Sequence, residues 1–300
     1  MHAPTSAILL KLAAAACVVG LGTCVHAAAA EAPIGQIMAM RAAISLVIVA
    51  VYGLLAVPLE TLRPKRLQPH LVRGGLACVG MFLSYVAYAA LPVAQAQTLA
   101  YLAPVITLPA AALLLGERLT GRVVVAVGIA FVGVLFILGV SVEMGREATI
   151  GALAGLACAA IIALIQVQIR SMTATETTLS IALSFSVIVT VVSGLTWFTG
   201  NWVPLQGPLI WWLLGAGVLG AGALVFNTEA VARAPVTLLA PLEYTGLILA
   251  LVIDWTIFAH APGPLAYMGS ALITAAALLV VVKRRRAPLA GLEDADPRPR

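Results

Sequence analysis

Charge is what this 300-residue chain has least of. Asp, Glu, Lys and Arg make up 10% of it, against about 25% in an ordinary soluble domain. Hydrophobic residues make up 62%. A soluble fold of this size cannot hide so much apolar surface, because a large share of its residues must face water. That excludes a soluble one- or two-domain enzyme and leaves a polytopic membrane protein. Cysteine is sparse too. Cys17, Cys24, Cys78 and Cys158 sit in apolar runs without disulfide or metal spacing, so they read as small buried hydrophobes. The four histidines, His2, His26, His70 and His260, are scattered and form no intramembrane cluster. HExxH, GxSxG and GxxxxGK[ST] are all missing, so zincin, serine-hydrolase and P-loop chemistry have no motif to rest on. No metal or cofactor is expected. An integral-membrane enzyme stays open as the alternative, without a motif in its support.

What the chain does have is long apolar runs. A helix needs about 20 such residues to cross the hydrocarbon core. Ten stretches qualify: 6–25, 34–56, 71–91, 94–115, 122–140, 151–169, 178–199, 208–226, 237–258 and 265–282. Irregular backbone cannot face lipid, and runs such as 122–140 lack the alternation of a membrane barrel, so all ten read as helices. The net charge of +5 then becomes a statement about sidedness rather than about nucleic acid. With the N-terminus in the cytoplasm, the inner segments hold 14 of the 17 basic residues and the outer loops hold Arg146 alone. Both termini are therefore expected on the cytoplasmic side of a bacterial-type inner membrane. Residues 1–30 also fit a cleavable signal, with Lys11 before an apolar run and small residues around His26, Ala27 and Ala28. Retention of span one is the preferred reading, because the repeat described next needs it.

The outer loop at 141–150 divides the chain into five spans and five. An odd number per half forces the second half to insert upside down, as in many secondary transporters. A weak echo links the halves: Thr98 to Pro104 (TLAYLAP) in span four and Thr237 to Pro241 (TLLAP) in span nine, each followed by a glycine-bearing closing span. The stretch from Ala90 to Leu138, with Pro104, Gly116-Glu117-Arg118, Gly128 and Gly133, closely resembles the signature of EamA-type carriers in the drug/metabolite transporter superfamily. Ala240-Pro241-Leu242-Glu243-Tyr244-Thr245 resembles the matching motif of the second half, Gly269 to Ile273 its closing helix, and Arg41 a common family arginine. The resemblance implies an all-α polytopic membrane protein of ten transmembrane helices in two inverted five-helix repeats, 6–140 and 151–286, with a tail at 287–300. It also implies a cavity lined mainly by spans one, three, four, six, eight and nine, and a carrier that runs without ATP. His260 stands where the family pattern has a glutamate.

Ionisable groups inside a membrane are costly, so each is a candidate for function. Glu243 and Asp254 share one face of span nine, about 16 Å apart along the axis. Either a proton or substrate role or a structural one fits them. Arg41 reads first as a snorkelling side chain, with pairing to Asp254 as the sharper alternative. Lys11 reads as an interfacial anchor. Met81, Ser84, Tyr85 and Tyr88 form one stripe on span three, and Gln97 and Tyr101 share a face of span four. Such groups suit the wall of a binding cavity as well as packing between helices. The candidate substrate-binding set is Tyr85, Tyr88, Gln97, Tyr101, Glu243, Tyr244 and Thr245, with Gln166 and Asn227 weaker. Pro104 and Pro241 are the candidate hinges. The expected partners are a small organic metabolite, the lipid bilayer and protons, not nucleic acid, in a monomer or homodimer. Export is the commoner direction in the family.

Overall fold

Apolar runs satisfy their backbone groups in hydrocarbon by forming helices. In the computed structural model every regular element among the described residues is helical. Those residues are 3–56, 58, 64–103, 105–106, 121–139, 145–172, 176–233, 242, 245–259 and 263–282. The α-helices are α1 (Ala3–Ala29), α2 (Ile34–Ala56), α3 (Leu67–Ala90), α4 (Val93–Ala100), α5 (Gly121–Gly139), α6 (Arg146–Met172), α7 (Thr178–Gly194), α8 (Leu209–Arg233), α9 (Thr245–Thr256) and α10 (Pro264–Val282). A 3-10 segment, Leu195–Thr199, prolongs α7. Each stretch read from the sequence overlaps one of these helices. Six helices among the described residues are long and apolar enough to cross a membrane: α1, α2, α3, α6, α7 with its 3-10 extension, and α8.

Span four differs from its sequence reading. α4 ends at Ala100, Tyr101 and Leu102 make a turn, and the chain is helical again at Ala103. A proline at 104 has no N–H to give the Ala100 carbonyl, and its ring crowds that carbonyl. Leu242 lies in a 3-10 turn, and α9 begins at Thr245, whose hydroxyl donates to the Leu242 carbonyl at 2.7 Å. Pro104 and Pro241 lie outside the described residues.

The helices pack in a regular pattern. α1 lies along α8, and α3 along α6. α2 touches both α7 and α8, and α7 also touches α3. α5 pairs with α10, and α4 sits against α6 and α9, while α9 touches α1. Glycines bring the α8 backbone close to its neighbours. A Cβ on Gly217 would stand 2.5 Å from Ile44, and one on Gly215 would stand 2.9 Å from the Cys24 sulfur. The connections at 30–33, 91–92 and 200–208 and the turn at 257–259 gather at one end of the bundle, called distal here. Gln36 ties two of them, donating to the Val203 carbonyl at 2.8 Å and accepting from the Val203 N–H at 2.9 Å. The main core lies toward this end, built from Val25, Ala28, Ile37, Leu91, Val93, Leu99, Leu213 and Ala250.

Asp254 is wholly buried in that region. Its two carboxylate oxygens accept the Val93 N–H at 3.0 Å and the Ala94 N–H at 2.7 Å. These are the first free N–H groups of α4, and its own N-cap, Pro92, offers no side chain to them. The alternative pairing of Asp254 with Arg41 is not found, since the carboxylate caps α4 instead. A buried carboxylate needs donors, and a helix N-terminus supplies two of them together with a favourable dipole.

At the opposite, proximal end, Glu176 joins the start of α3 to the start of α7. It accepts the Lys65 N–H at 3.0 Å and the Arg66 N–H at 2.9 Å, and its carboxylate stands 3.5 Å from the His70 ring. The Lys65 N–H is the main influence holding its carboxyl below the ordinary carboxylate range, helped by Arg66 and His70 and opposed by burial.

Two outcomes follow. Asp254→Ala should cost about 2–3 kcal/mol, as for hydrogen bonds to a charged group, and Asp254→Asn less; thermal unfolding in detergent measures both. Glu176 stabilises the fold when ionised. Its contribution should be complete above an ordinary carboxylate pKa of about 4.3 and fade as pH falls through its lower folded value. Glu176→Gln should lower the midpoint at neutral pH and flatten that acid limb in a pH series of the same melts.

Candidate functional site

Proximal to the core is a cavity of about 400 Å³. Its walls come from α1 (Lys11, Ala14, Ala15, Val18, Leu21), α2 (Arg41, Ala42, Ser45), α4 and the turn after it (Gln97, Tyr101), α7 (Phe185, Ser186, Val189) and α8 (Gly220, Ala223, Leu224, Asn227). Among the described residues α2 and α7 line it, where the sequence resemblance pointed to spans three, six and nine. The walls are mainly apolar, with polar groups at a few fixed points, which is the usual make-up of a small-molecule site.

Each polar group has an identifiable support. Gln97 is buried and takes the Tyr88 hydroxyl on its Oε1 at 2.5 Å. Tyr88 thus stands behind the wall and fixes the amide. Tyr88 in turn lies against Gly22, where a Cβ would come within 2.7 Å of the ring. Tyr101 lies on the turn between helical segments, and its hydroxyl reaches the bare backbone of Gly246, 2.6 Å from where a Cβ would sit. Tyr85 is 3% exposed and belongs to the core rather than to the cavity lining. Thr245 is spent on the Leu242 carbonyl. Glu243 and Tyr244 lie outside the described residues, as do His260 and the side chain of Gln166. Ser45 and Ser186 donate to the Gly217 and Ala182 carbonyls, so their hydroxyl protons are already used.

The two cations differ most from their sequence readings. Lys11 is 6% exposed, and its ammonium donates to Asn227 Oδ1 at 2.6 Å inside the cavity. Its side chain turns into the bundle because it lies on the face of α1 that packs against α8. Arg41 does not snorkel outward. Its guanidinium turns into the cavity, donates to the Met81 sulfur at 3.1 Å and lies against α8 at Gly220. A Cβ there would stand 2.7 Å from Nε and 2.9 Å from a terminal nitrogen. Sequence reasoning missed Phe185 and Ser186, which show no polar stripe of their own on α7. Asn227 had a signal, an amide inside an apolar span, but its lysine partner is 216 residues away. Among the described residues no group of three or more His, Cys, Asp or Glu is placed to hold a metal.

Apolar helices packed around a solute-sized cavity with a few polar groups in its wall define a multi-pass membrane protein with a small-molecule site. Known proteins narrow the class. Residues 5–139 match the EamA-like transporter family. The pseudopaline exporter of Pseudomonas aeruginosa is 28% identical over 276 residues, covering 91% of this chain and 95% of that protein. The riboflavin transporter of Rhizobium johnstonii is 31% identical over 224 residues, covering 73% of this chain and 72% of that protein. The riboflavin transporter of Brucella anthropi is 26% identical over 227 residues, covering 74% and 79%. A protein of known crystal structure shares the fold with a TM-score of 0.67 at 22% identity, covering 94% of this chain and 98% of its own. The chain belongs to the EamA-like transporter family and is a small-molecule membrane transporter.

Gly220→Ala should displace the Arg41 guanidinium without costing the helix, since alanine is favoured over glycine there by about 1 kcal/mol. The expected result is an unchanged or slightly raised melting midpoint with transport reduced about tenfold or more, the size of effect from misplacing a charged donor. Vesicle transport and thermal unfolding of one preparation check both halves.

Proposed function

We propose that this chain is an ATP-independent exporter of a small organic metabolite, working by alternating access, and that it is not an enzyme. The observation that carries the reading is the position of the cavity: it lies to one side of a packed core, against the helix break at Tyr101–Leu102. In the other half Leu242 lies in a 3-10 turn just ahead of α9. Broken helices beside a central site are a mark of secondary transporters.

The packing supports two inverted five-helix repeats, 6–140 and 151–286. Advancing each helix by five places, and counting on from α10 to α1, turns the α1–α8 contact into α6–α3 and the α2–α8 contact into α7–α3. The same step turns α1–α9 into α6–α4, and each of these contacts is present. The basic residues support N- and C-termini on the cytoplasmic side of an inner membrane. In that orientation the distal core faces outward and the cavity lies on the cytoplasmic side, where an exporter collects its cargo. Relatives that export pseudopaline or carry riboflavin fit a polar organic solute. The wider family range takes in amino acids, nucleosides, S-adenosylmethionine-like compounds and opine-type metallophores. Gln97 and Tyr101 contact the solute, Tyr85 and Tyr88 brace them, and Tyr244 and Thr245 serve the facing half. Glu243 carries the proton if a proton gradient drives the cycle; the solute's own gradient is the other driving force. Asp254 stays with α4, and Pro104 and Pro241 flex. The chain works as a monomer or homodimer in the bilayer.

Purified protein in vesicles decides between carrier and enzyme, since a carrier releases its cargo chemically unaltered. Pro104→Ala and Pro241→Ala should each change the transport rate several-fold while leaving half-saturation near its wild-type value. Unchanged rates for both remove the hinge role. Glu243→Gln should abolish acceleration by a pH gradient, and wild-type behaviour in that variant takes the residue out of the mechanism.

A further inference from the structure

The carrier reading leaves open what kind of solute the cavity accepts, and the hydrogen-bond capacity of its walls answers that. A guanidinium offers five N–H donors and no acceptor. Arg41 spends one of them on a thioether sulfur, which is a weak acceptor. Its Nε is buried with no partner, and no carboxylate among the described residues pairs with it. Gln97 points the same way. The Tyr88 hydroxyl occupies its Oε1, so the amide presents N–H donors. Ser45 and Ser186 have given their protons to backbone carbonyls. Each serine keeps only lone pairs, so the wall's unspent N–H donors lie on Gln97 and Arg41, and Arg41 carries a fixed positive charge.

Placement strengthens the point. Arg41 sits on Gly220, where the missing side chain makes room for the fork. Lys11 meets Asn227, seven residues further along α8. Seven residues are two turns, so the two cations lie on the same face of α8 about 10 Å apart along its axis. Lys11 is already engaged by Asn227, whereas Arg41 meets only neutral partners, the Met81 sulfur and the neighbouring Tyr85 hydroxyl. Between them the walls are apolar: Ala14, Ala15, Val18, Phe185 and Val189.

Resting on the carrier reading, we infer that the solute bears a carboxylate, that Arg41 holds it through paired N–H bonds, and that the solute's apolar body lies along α1 and α7 toward Lys11. One planar fork matches one planar monoanion in two parallel bonds. A phosphate monoester carries close to two charges and asks for more than one cation without a counter-charge in so apolar a chamber. The solute brings the counter-charge that the protein withholds from Arg41, so the empty site is ill-satisfied and the loaded one is not.

The test uses the full chain in vesicles loaded with the small-molecule extract of the cells that express it. Mass spectrometry then identifies solutes released beyond protein-free vesicles. The expected solutes carry a carboxylate, and Arg41→Gln should cut their release about 10- to 100-fold, the range for a charge-assisted pair. Arg41→Lys keeps the charge but loses the fork, so a smaller loss is expected. The methyl ester of a released acid should compete at least about tenfold more weakly than the acid itself. Melting curves establish that each variant is folded, and where Arg41→Gln is not, the lysine variant and the ester carry the test. Released solutes without a carboxylate, phosphate esters included, overturn the inference, as does wild-type release by folded Arg41 variants. Either result leaves the carrier standing. No release by folded wild-type protein overturns the carrier reading itself.

Discussion

A backbone N–H with no partner is far more costly in hydrocarbon than in water, and the architecture is organised by that cost. Most of the chain avoids it by staying helical. The difficulty returns wherever a helix starts or stops inside the bundle, because each terminus frees several backbone groups. α4 is the clearest case. It begins at Val93 behind a proline that cannot cap it, and the acceptor comes from Asp254, 161 residues later in the chain. One carboxylate therefore fixes the start of the helix that carries Gln97 and Tyr101 into the cavity wall. Asp254 would be prohibitively costly in this place without the helix, and α4 would be frayed without Asp254.

The same economy governs the cavity. Groups that must not bind solute are neutralised internally: serine hydroxyls on backbone carbonyls, Lys11 on Asn227, Tyr88 on Gln97. Small residues then decide which side chains reach the interior. Gly220 seats Arg41, Gly246 receives Tyr101, and Gly22 accommodates Tyr88. The glycines of α8 thus serve two ends. Gly215 and Gly217 admit α1 and α2 closely, and Gly220 opens a place for a cation between them.

Most of the fold could be read from the chain because its cause is local. Span length, the absence of alternation and the distribution of basic residues depend on composition along the sequence. The site was legible only in part. Gln97 and Tyr101 share a helical face and do line the cavity together. Tyr85 and Tyr88 lie on an equally good stripe, yet one is in the core and the other braces Gln97. A stripe gives a direction in space but not the neighbour it meets. Arg41 and Lys11 were misjudged for a related reason. Depth along a helix says how far a charge must travel to reach water, but not that a bare glycine or an asparagine waits across the bundle.

The sequence by itself determined that this is a helical membrane protein, how its basic residues are distributed along the chain, and which family it resembles. Each of these follows from the price of apolar surface and backbone groups in water or lipid, summed over neighbouring residues. The tertiary structure decided that Asp254 belongs to α4 rather than to Arg41, that Lys11 and Asn227 share one wall, and that Arg41 faces the cavity. Those outcomes depend on contacts between residues from 40 to more than 200 positions apart, and only the packed bundle specifies them.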